Sequence, residues 1–129
     1  MLNMKLQFVF ICLFGGMTSV LATDVTKELQ QKYVTQGAVA FSAQRGQKLW
    51  ESDNNGRSCT TCHTTSVKNT GKHQKTGKLI KPMAPLVNPK RLTKKRKVKK
   101  WLLRNCKWTF KRECTAQEKG DILMWLSQQ

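Results

Sequence analysis

The stretch Arg57-Ser58-Cys59-Thr60-Thr61-Cys62-His63 decides how the rest of the chain is read. Two cysteines separated by two residues and followed at once by a histidine make the CxxCH pattern of c-type haem attachment. Each part has a physical reason. Two thiols add across the two vinyl groups of one haem and become thioethers. A gap of two residues lets both sulfurs meet one edge of the same porphyrin, and the adjacent imidazole then lies under the iron as a neutral nitrogen ligand. Cys59, Cys62 and His63 are therefore the candidate cofactor-binding residues, the expected cofactor is covalent haem c, one per chain, and His63 is the candidate proximal ligand. Two rivals share the pattern. A thioredoxin-like CxxC needs a βαβ sheet, and no stretch of this chain alternates with period two for long. A zinc site could recruit Cys59, Cys62 and His63 with His73, Cys106 or Cys114. The corresponding alternative function is an exported basic zinc- or polyanion-binding module.

The N-terminal segment sets the compartment. Residues 1–22 read MLNMKLQFVFICLFGGMTSVLA, with Lys5 as the only charge, an apolar run from Leu6 to Phe14, and small residues at Val20 and Ala22. This reads as a secretory signal peptide cut after Ala22, broken too soon by Gly15-Gly16 to span a membrane. The expected location is the periplasm. Of the five cysteines, Cys12 leaves with the signal and Cys59 and Cys62 hold haem. Cys106 and Cys114 remain, flanking a seven-residue segment in an oxidising compartment, and are expected to form a disulfide. Closing so short a ring stabilises by about 2–3 kcal/mol on the chain-entropy account.

The chain has 129 residues, enough for one small domain. We divide it into the signal peptide (1–22), an N-terminal arm (23–37) and a haem domain (38–129). The arm is polar, a loose segment or a short helix over Thr26 to Tyr33. From Val39 the pattern turns helical, with Val39, Ala43, Gly46 and Trp50 on one face. Asn54-Asn55-Gly56 closes that helix. Residues 64–92 carry Gly71, Gly77, Pro82, Pro85 and Pro89 and read as a wrapping loop. Thr93 is placed to cap a helix over 94–104 whose apolar face is Val98, Trp101 and Leu102. Residues 105–114 read as a loop. Thr115-Ala116-Gln117-Glu118 is a capping box opening a last helix that buries Ile122, Leu123, Trp125 and Leu126. The fold class is all-α with little or no sheet.

This order of elements resembles a class I cytochrome c, in which the first and last helices cross with a small residue and aromatics at the contact. Gly46, Trp50 and Trp125 suit those positions, since a residue without Cβ lets two backbones approach. In that family the sixth iron ligand is usually a Met from the loop before the last helix. Here residues 105–114 contain neither Met nor His. They offer Asn105, Lys107 and Lys111, and a Lys would have to give up a proton held to about pH 10.4. Elsewhere stand Met83, between Pro82 and Pro85; Met124, in the last helix; and His73, in a Gly/Lys-rich stretch. Asn105 also has an ordinary reading as a helix C-cap.

RSCTTCH, TGKLIKPMAP (Thr76 to Pro85), NPKR (Asn88 to Arg91), RNC (Arg104 to Cys106) and RECTAQEKGDIL (Arg112 to Leu123) together resemble the sphaeroides haem protein (SHP) family, also described as DUF1924, over residues 38–127. The resemblance implies a monohaem class I cytochrome with His/Asn axial ligation. It places the metal ligands at His63 and Asn105, with Asn105 beside the Cys106–Cys114 pair. It implies that the Asn is released on reduction, so that the haem then binds O2, NO or CO. A carboxamide oxygen is a weak, hard ligand suited to ferric rather than ferrous iron, which makes such release reasonable. The alternative is an ordinary His/Met electron carrier using Met83.

There are 24 Lys+Arg against 7 Asp+Glu, a formal charge of +17. Residues 90–100 (KRLTKKRKVKK) hold eight of those cations. The plain reading of that run is a solvated helix face. Export and the lack of a base-stacking aromatic array argue against nucleic acid. A redox protein uses such a surface to steer an acidic partner, here expected to be another cytochrome or a membrane cytochrome. An anionic membrane surface is the weaker reading. No paired carboxylates, nucleophile or phosphate loop point to an enzyme. The expectation is an electron carrier and ligand-binding haem protein, monomeric.

Overall fold

A computed structural model describes residues 22–129 of the chain. Except for Ala22, the signal reading of residues 1–22 falls outside them. The elements run α1 (Ala22–Thr35), α2 (Ala43–Glu51), α3 (Thr60–His63), β1 (Gly71–Lys72), β2 (Leu79–Ile80), α4 (Lys95–Phe110) and α5 (Ala116–Ser127). The all-α expectation holds. The sheet is a single antiparallel pair, Gly71 opposite Ile80 and Lys72 opposite Leu79.

The crossing of α2 and α5 organises everything else. A Cβ on Gly46 would lie 2.0 Å from the carbonyl oxygen of Asp121, so only glycine admits the two backbones at this separation. The Trp50 and Trp125 rings meet beside it, centroids 5.5 Å apart. Asp121, at 3% exposure, clasps the crossing: its carboxylate accepts from Ser42 N (2.7 Å), Arg45 Nε (2.8 Å) and Gln117 Nε2 (3.1 Å). Burying a charge costs heavily unless it is paired and hydrogen-bonded, and these contacts meet that need.

Several boundaries differ from the sequence expectation. The helix expected from Val39 starts at Ala43, where Ser42 caps it by accepting from Arg45 N; Val39 is outside it and exposed. It ends at Glu51, and Asn54–Gly56 form the following turn, with Asn55 and Gly56 at positive φ. The N-terminal arm is the helix α1, longer than Thr26 to Tyr33. Thr26, Leu29 and Tyr33 are buried at spacings of three and four, and Gln30 Nε2 donates to the Gly120 carbonyl of α5. Full burial of a Leu side chain such as Leu29 is worth about 2 kcal/mol.

Thr93 does not cap α4. Its hydroxyl bonds back to Lys90 O, while Lys94 takes the cap position without a side-chain bond. The helix then runs to Phe110, through residues 105–110 that were expected as loop, and Lys111 closes it in the left-handed conformation (φ 60). Trp101, expected inside, is 49% exposed; Val98, Cys106 and Thr109 form the buried stripe.

The capping box at α5 is present as expected. Thr115 Oγ1 accepts from Glu118 N, and the Glu118 carboxylate accepts from Thr115 N and grips Arg112 through two bonds of 2.7 Å. The Arg112 bonds chiefly, helped by the Thr115 backbone, hold the Glu118 carboxyl below its ordinary value near 4.5. A depressed carboxylate stabilises the fold above its unfolded pKa, and that contribution is lost as pH falls through the folded value. Between about pH 6 and about pH 3 the thermal midpoint is expected to fall, and Glu118→Gln to flatten the fall; an unchanged slope in that variant would remove Glu118 from the account.

Candidate functional site

Cys59 to His63 form a single helical turn. His63 N donates to Cys59 O (3.1 Å), and Ser58, itself buried, organises the entry: its Oγ accepts from Thr60 N (3.0 Å) and bonds Trp50 O (3.2 Å). Residues three and four apart on a helix are neighbours, so Cys59, Cys62 and His63 share one side of this turn. Thr64 ends it at φ 63, ψ 172, a region costly for a β-branched residue. The hairpin closes over the turn. A Cβ on Gly71 would lie 2.1 Å from Cys62 O, and Gln74 N donates to Cys62 Sγ (3.4 Å).

Around His63 the surroundings are apolar and cationic. The Trp50 ring lies 5.2 Å from the imidazole. Burial, with the nearby Arg91 guanidinium, pushes the His63 pKa down to about 4. The ring is thus neutral near pH 7, the form a metal requires of a histidine. Arg91 is held in place by the Pro82 carbonyl, which accepts from its Nε (2.8 Å) and from Asn88 Nδ2 (3.1 Å). Trp50 Nε1 is buried and has no acceptor among the described residues. Burial pushes the Cys59 thiol up to about 11, with the nearby Thr109 hydroxyl drawing it part of the way back.

Thr109 belongs to the last turns of α4, so this helix reaches the attachment turn from the far side. Arg57 fastens the two together: Nη1 donates to Trp108 O (3.1 Å), and its guanidinium stacks 5.1 Å from the Trp108 ring centroid. A cleft of about 230 Å³ lined by Asn54, Asn55, Arg57, Thr109, Phe110 and Lys111 opens at this junction. Asn105, four residues before Thr109, lies inside α4 and is half-buried. It is therefore not the C-cap, a position Lys111 holds, and its carboxamide makes no hydrogen bond among the described residues. Cys106 and Cys114 are joined, with Cα atoms 5.6 Å apart, tying this part of α4 to the start of α5.

The other ligand candidates make the following contacts. Met83 packs against the core, with its backbone N bonded to Val67 O (2.8 Å). His73 is exposed and its Nδ1 accepts from Thr76 N (3.1 Å). Lys107 pairs with Glu113 (3.4 Å), and Met124 Sδ accepts from Gln128 (3.5 Å). Among the described residues there is no group of three or more His, Cys, Asp or Glu placed to hold a metal ion, and Cys106 and Cys114 are taken up by their disulfide. Trp50 as a donor, Arg57 as a fastener, Thr109 and Arg91 were not singled out from sequence as site residues. Arg91 was visible only as one more cation in a solvated run, and its burial is decided by the loop carbonyls it ties.

Comparison with known proteins now bears on this geometry. The family model described as "Domain of unknown function (DUF1924)" matches residues 36–126. The chain belongs to that family. Cytochrome c-type protein SHP of Cereibacter sphaeroides is 41% identical over 102 residues, covering 75% of this chain and 78% of that protein. Cytochrome c″ of Methylophilus methylotrophus is 32% identical over 93 residues, covering 72% of this chain and 62% of that one. Among solved structures, oxidised SHP, described as an oxygen-binding cytochrome c, matches with a TM-score of 0.72 at 37% identity, covering 88% of this chain and 100% of that one. Oxidised cytochrome c″ matches with a TM-score of 0.68 at 29% identity, covering 81% and 94%. This DUF1924 member is SHP-like, a monohaem cytochrome, and its cofactor is covalent haem c.

Proposed function

We propose that this DUF1924 protein is an exported, periplasmic single-electron carrier whose haem is attached at Cys59 and Cys62 and ligated by His63 and a displaceable Asn105. The observation that carries the reading is Asn105 itself. It is half-buried within α4, one helical turn before the Thr109 that lies beside Cys59, and its carboxamide makes no hydrogen bond to the described residues. A carboxamide so placed keeps its oxygen available to an iron centre.

The residues fit the cofactor. Two thiols lie on one turn, a neutral imidazole follows directly, and the buried Trp50 N–H beside it is a free donor for an acidic group of the macrocycle. When bound, haem supplies a one-electron redox change and, with its distal position open, a site for a diatomic gas. The chain's own residues do the rest. Trp50 packs against His63, burial helped by the Arg91 charge keeps its ring unprotonated, and Arg57 keeps α4 against the attachment turn. The disulfide holds the backbone next to Asn105, so that its side chain could move without the helix unwinding. One relative is described as oxygen-binding and the other's solution structure as bearing on haem-ligand detachment, both in keeping with a labile distal ligand. The uncompensated cations of α4 suit an acidic redox partner steered to this face.

Absorption spectra of matched variants test the ligand. Asn105→Ala is expected to change the ferric haem spectrum to that of a water-bound or five-coordinate form, and to leave the ferrous protein's CO binding intact. Met83→Leu is expected to leave both spectra unchanged. A ferric sulfur–iron charge-transfer band that disappears in Met83→Leu overturns the assignment in favour of His/Met ligation.

A further inference from the structure

We propose that the flank of α4 carrying Lys97, Trp101 and Arg104 is the docking face for an acidic protein partner, with Trp101 as its anchor. This rests on the redox-carrier reading above and names the surface that reading needs. These three residues recur at intervals of four and three and so form one stripe along the helix. Trp101 is 49% exposed, against 2–9% for the residues of α4's buried stripe. Two cations sit over its ring, Lys100 Nζ at 5.5 Å from the centroid and Arg104 Cζ at 5.7 Å. A half-exposed indole framed by guanidinium and ammonium groups has the composition of an interface hot spot: a large apolar area to bury, with donors for carboxylates at its rim.

The charge around it is unanswered. Lys95 pairs with Glu28 and Lys107 with Glu113, but Arg96, Lys97, Lys99, Lys100 and Arg104 form no ion pair among the described residues. A field of five free cations attracts an acidic surface and orients its approach. The stripe also abuts the site, because Trp101 and Asn105 are one turn apart on the same helix.

A protein fits better than a bilayer. A helix that lies in a membrane interface presents an apolar face to the lipid. The apolar face of α4, with Val98 and Cys106, is buried in the core. The other exposed apolar residue of this helix, Leu103, lies two positions from Trp101 and so on the far side. One indole among cations makes a local anchor for a carboxylate-rimmed pocket.

The test uses the haem-loaded protein with a plant-type ferredoxin, a strongly acidic electron carrier, as the probe. Stopped-flow reduction by the reduced ferredoxin and calorimetric titration with the oxidised one are compared across variants. Lys97→Gln/Lys100→Gln/Arg104→Gln is expected to slow reduction at least about tenfold at low salt and to flatten its salt dependence. Trp101→Ala is expected to weaken binding about tenfold while keeping the salt slope, with Trp101→Phe between it and the parent. The ferric and ferrous absorption spectra should be the same in all, which shows the haem undisturbed. Parent-like rates and affinities in both the triple variant and Trp101→Ala overturn the proposal. So does Trp101-dependent sedimentation with phosphatidylglycerol vesicles when the ferredoxin rates do not change. Absence of a haem spectrum would instead overturn the redox reading, while the titration still reports on the surface.

Discussion

Gly46→Ala is expected to lower unfolding stability by about 2–3 kcal/mol in urea titration, a cost typical of forcing atoms into a filled core. The added methyl would sit 2.0 Å from Asp121 O, 2.5 Å from Asp121 C and 3.0 Å from Ile122 N. All three are backbone atoms of α5, so no side-chain rotation relieves the clash and the helices must move apart. That movement stretches the bonds Asp121 makes to Ser42 and Arg45 and parts Trp50 from Trp125. Alanine is the better helix former by about 1 kcal/mol, so a surface glycine changed in the same way would gain stability. The sign of the result is therefore decisive: a variant as stable as the parent would mean that the crossing is looser than described. Because Trp50 lies against His63, the same variant should also disturb the haem spectrum before it unfolds.

The second large effect concerns the attachment turn. In Cys59→Ala/Cys62→Ala, made with competent haem-attachment machinery, all haem is expected to extract into acidified organic solvent, and none to stay with the polypeptide after denaturation. Each single variant should retain covalent haem with one unreacted vinyl group, visible as a red shift of the pyridine haemochrome band. The two positions are not equivalent. Cys59 is half-buried and packs against the hydrophobic core, whereas the sulfur of Cys62 accepts from the exposed hairpin at Gln74. Losing Cys59 should therefore cost more stability than losing Cys62. Haem that remains bound through denaturation in the double variant would show attachment elsewhere and dismiss the motif reading.

The parts of this molecule legible in its sequence were those fixed by local rules. The CxxCH turn, the capping box at Thr115 and Glu118, and the glycine and aromatics of the α2–α5 crossing each follow from spacing and side-chain chemistry over a few residues. The misread parts depended on partners far along the chain. Trp101 looked like core because indoles usually are; the stripe of Val98, Cys106 and Thr109 takes that role, as the disulfide and the Cys59 contact turn α4 that way. The helix was cut short at Arg104 because a ligand-bearing loop was expected there, although residues 105–110 contain neither Gly nor Pro to stop it. The arm looked polar because Leu29 and Tyr33 are few, yet α5 leaves a groove that they fill. Arg91, although it ends the NPKR motif, and the Trp50 indole N–H carry no local sign of what they do; only the fold around His63 sets it.

The bridge between Cys106 and Cys114 has a topological consequence. It encloses Lys107 to Glu113, a stretch rich in lysine and arginine and exposed at both ends, which is the kind of segment trypsin-like proteases seek. A cut anywhere within it leaves the two fragments on one sulfur hinge, so the terminal helix cannot drift from the rest. Severing the chain at this bend therefore leaves its connectivity intact.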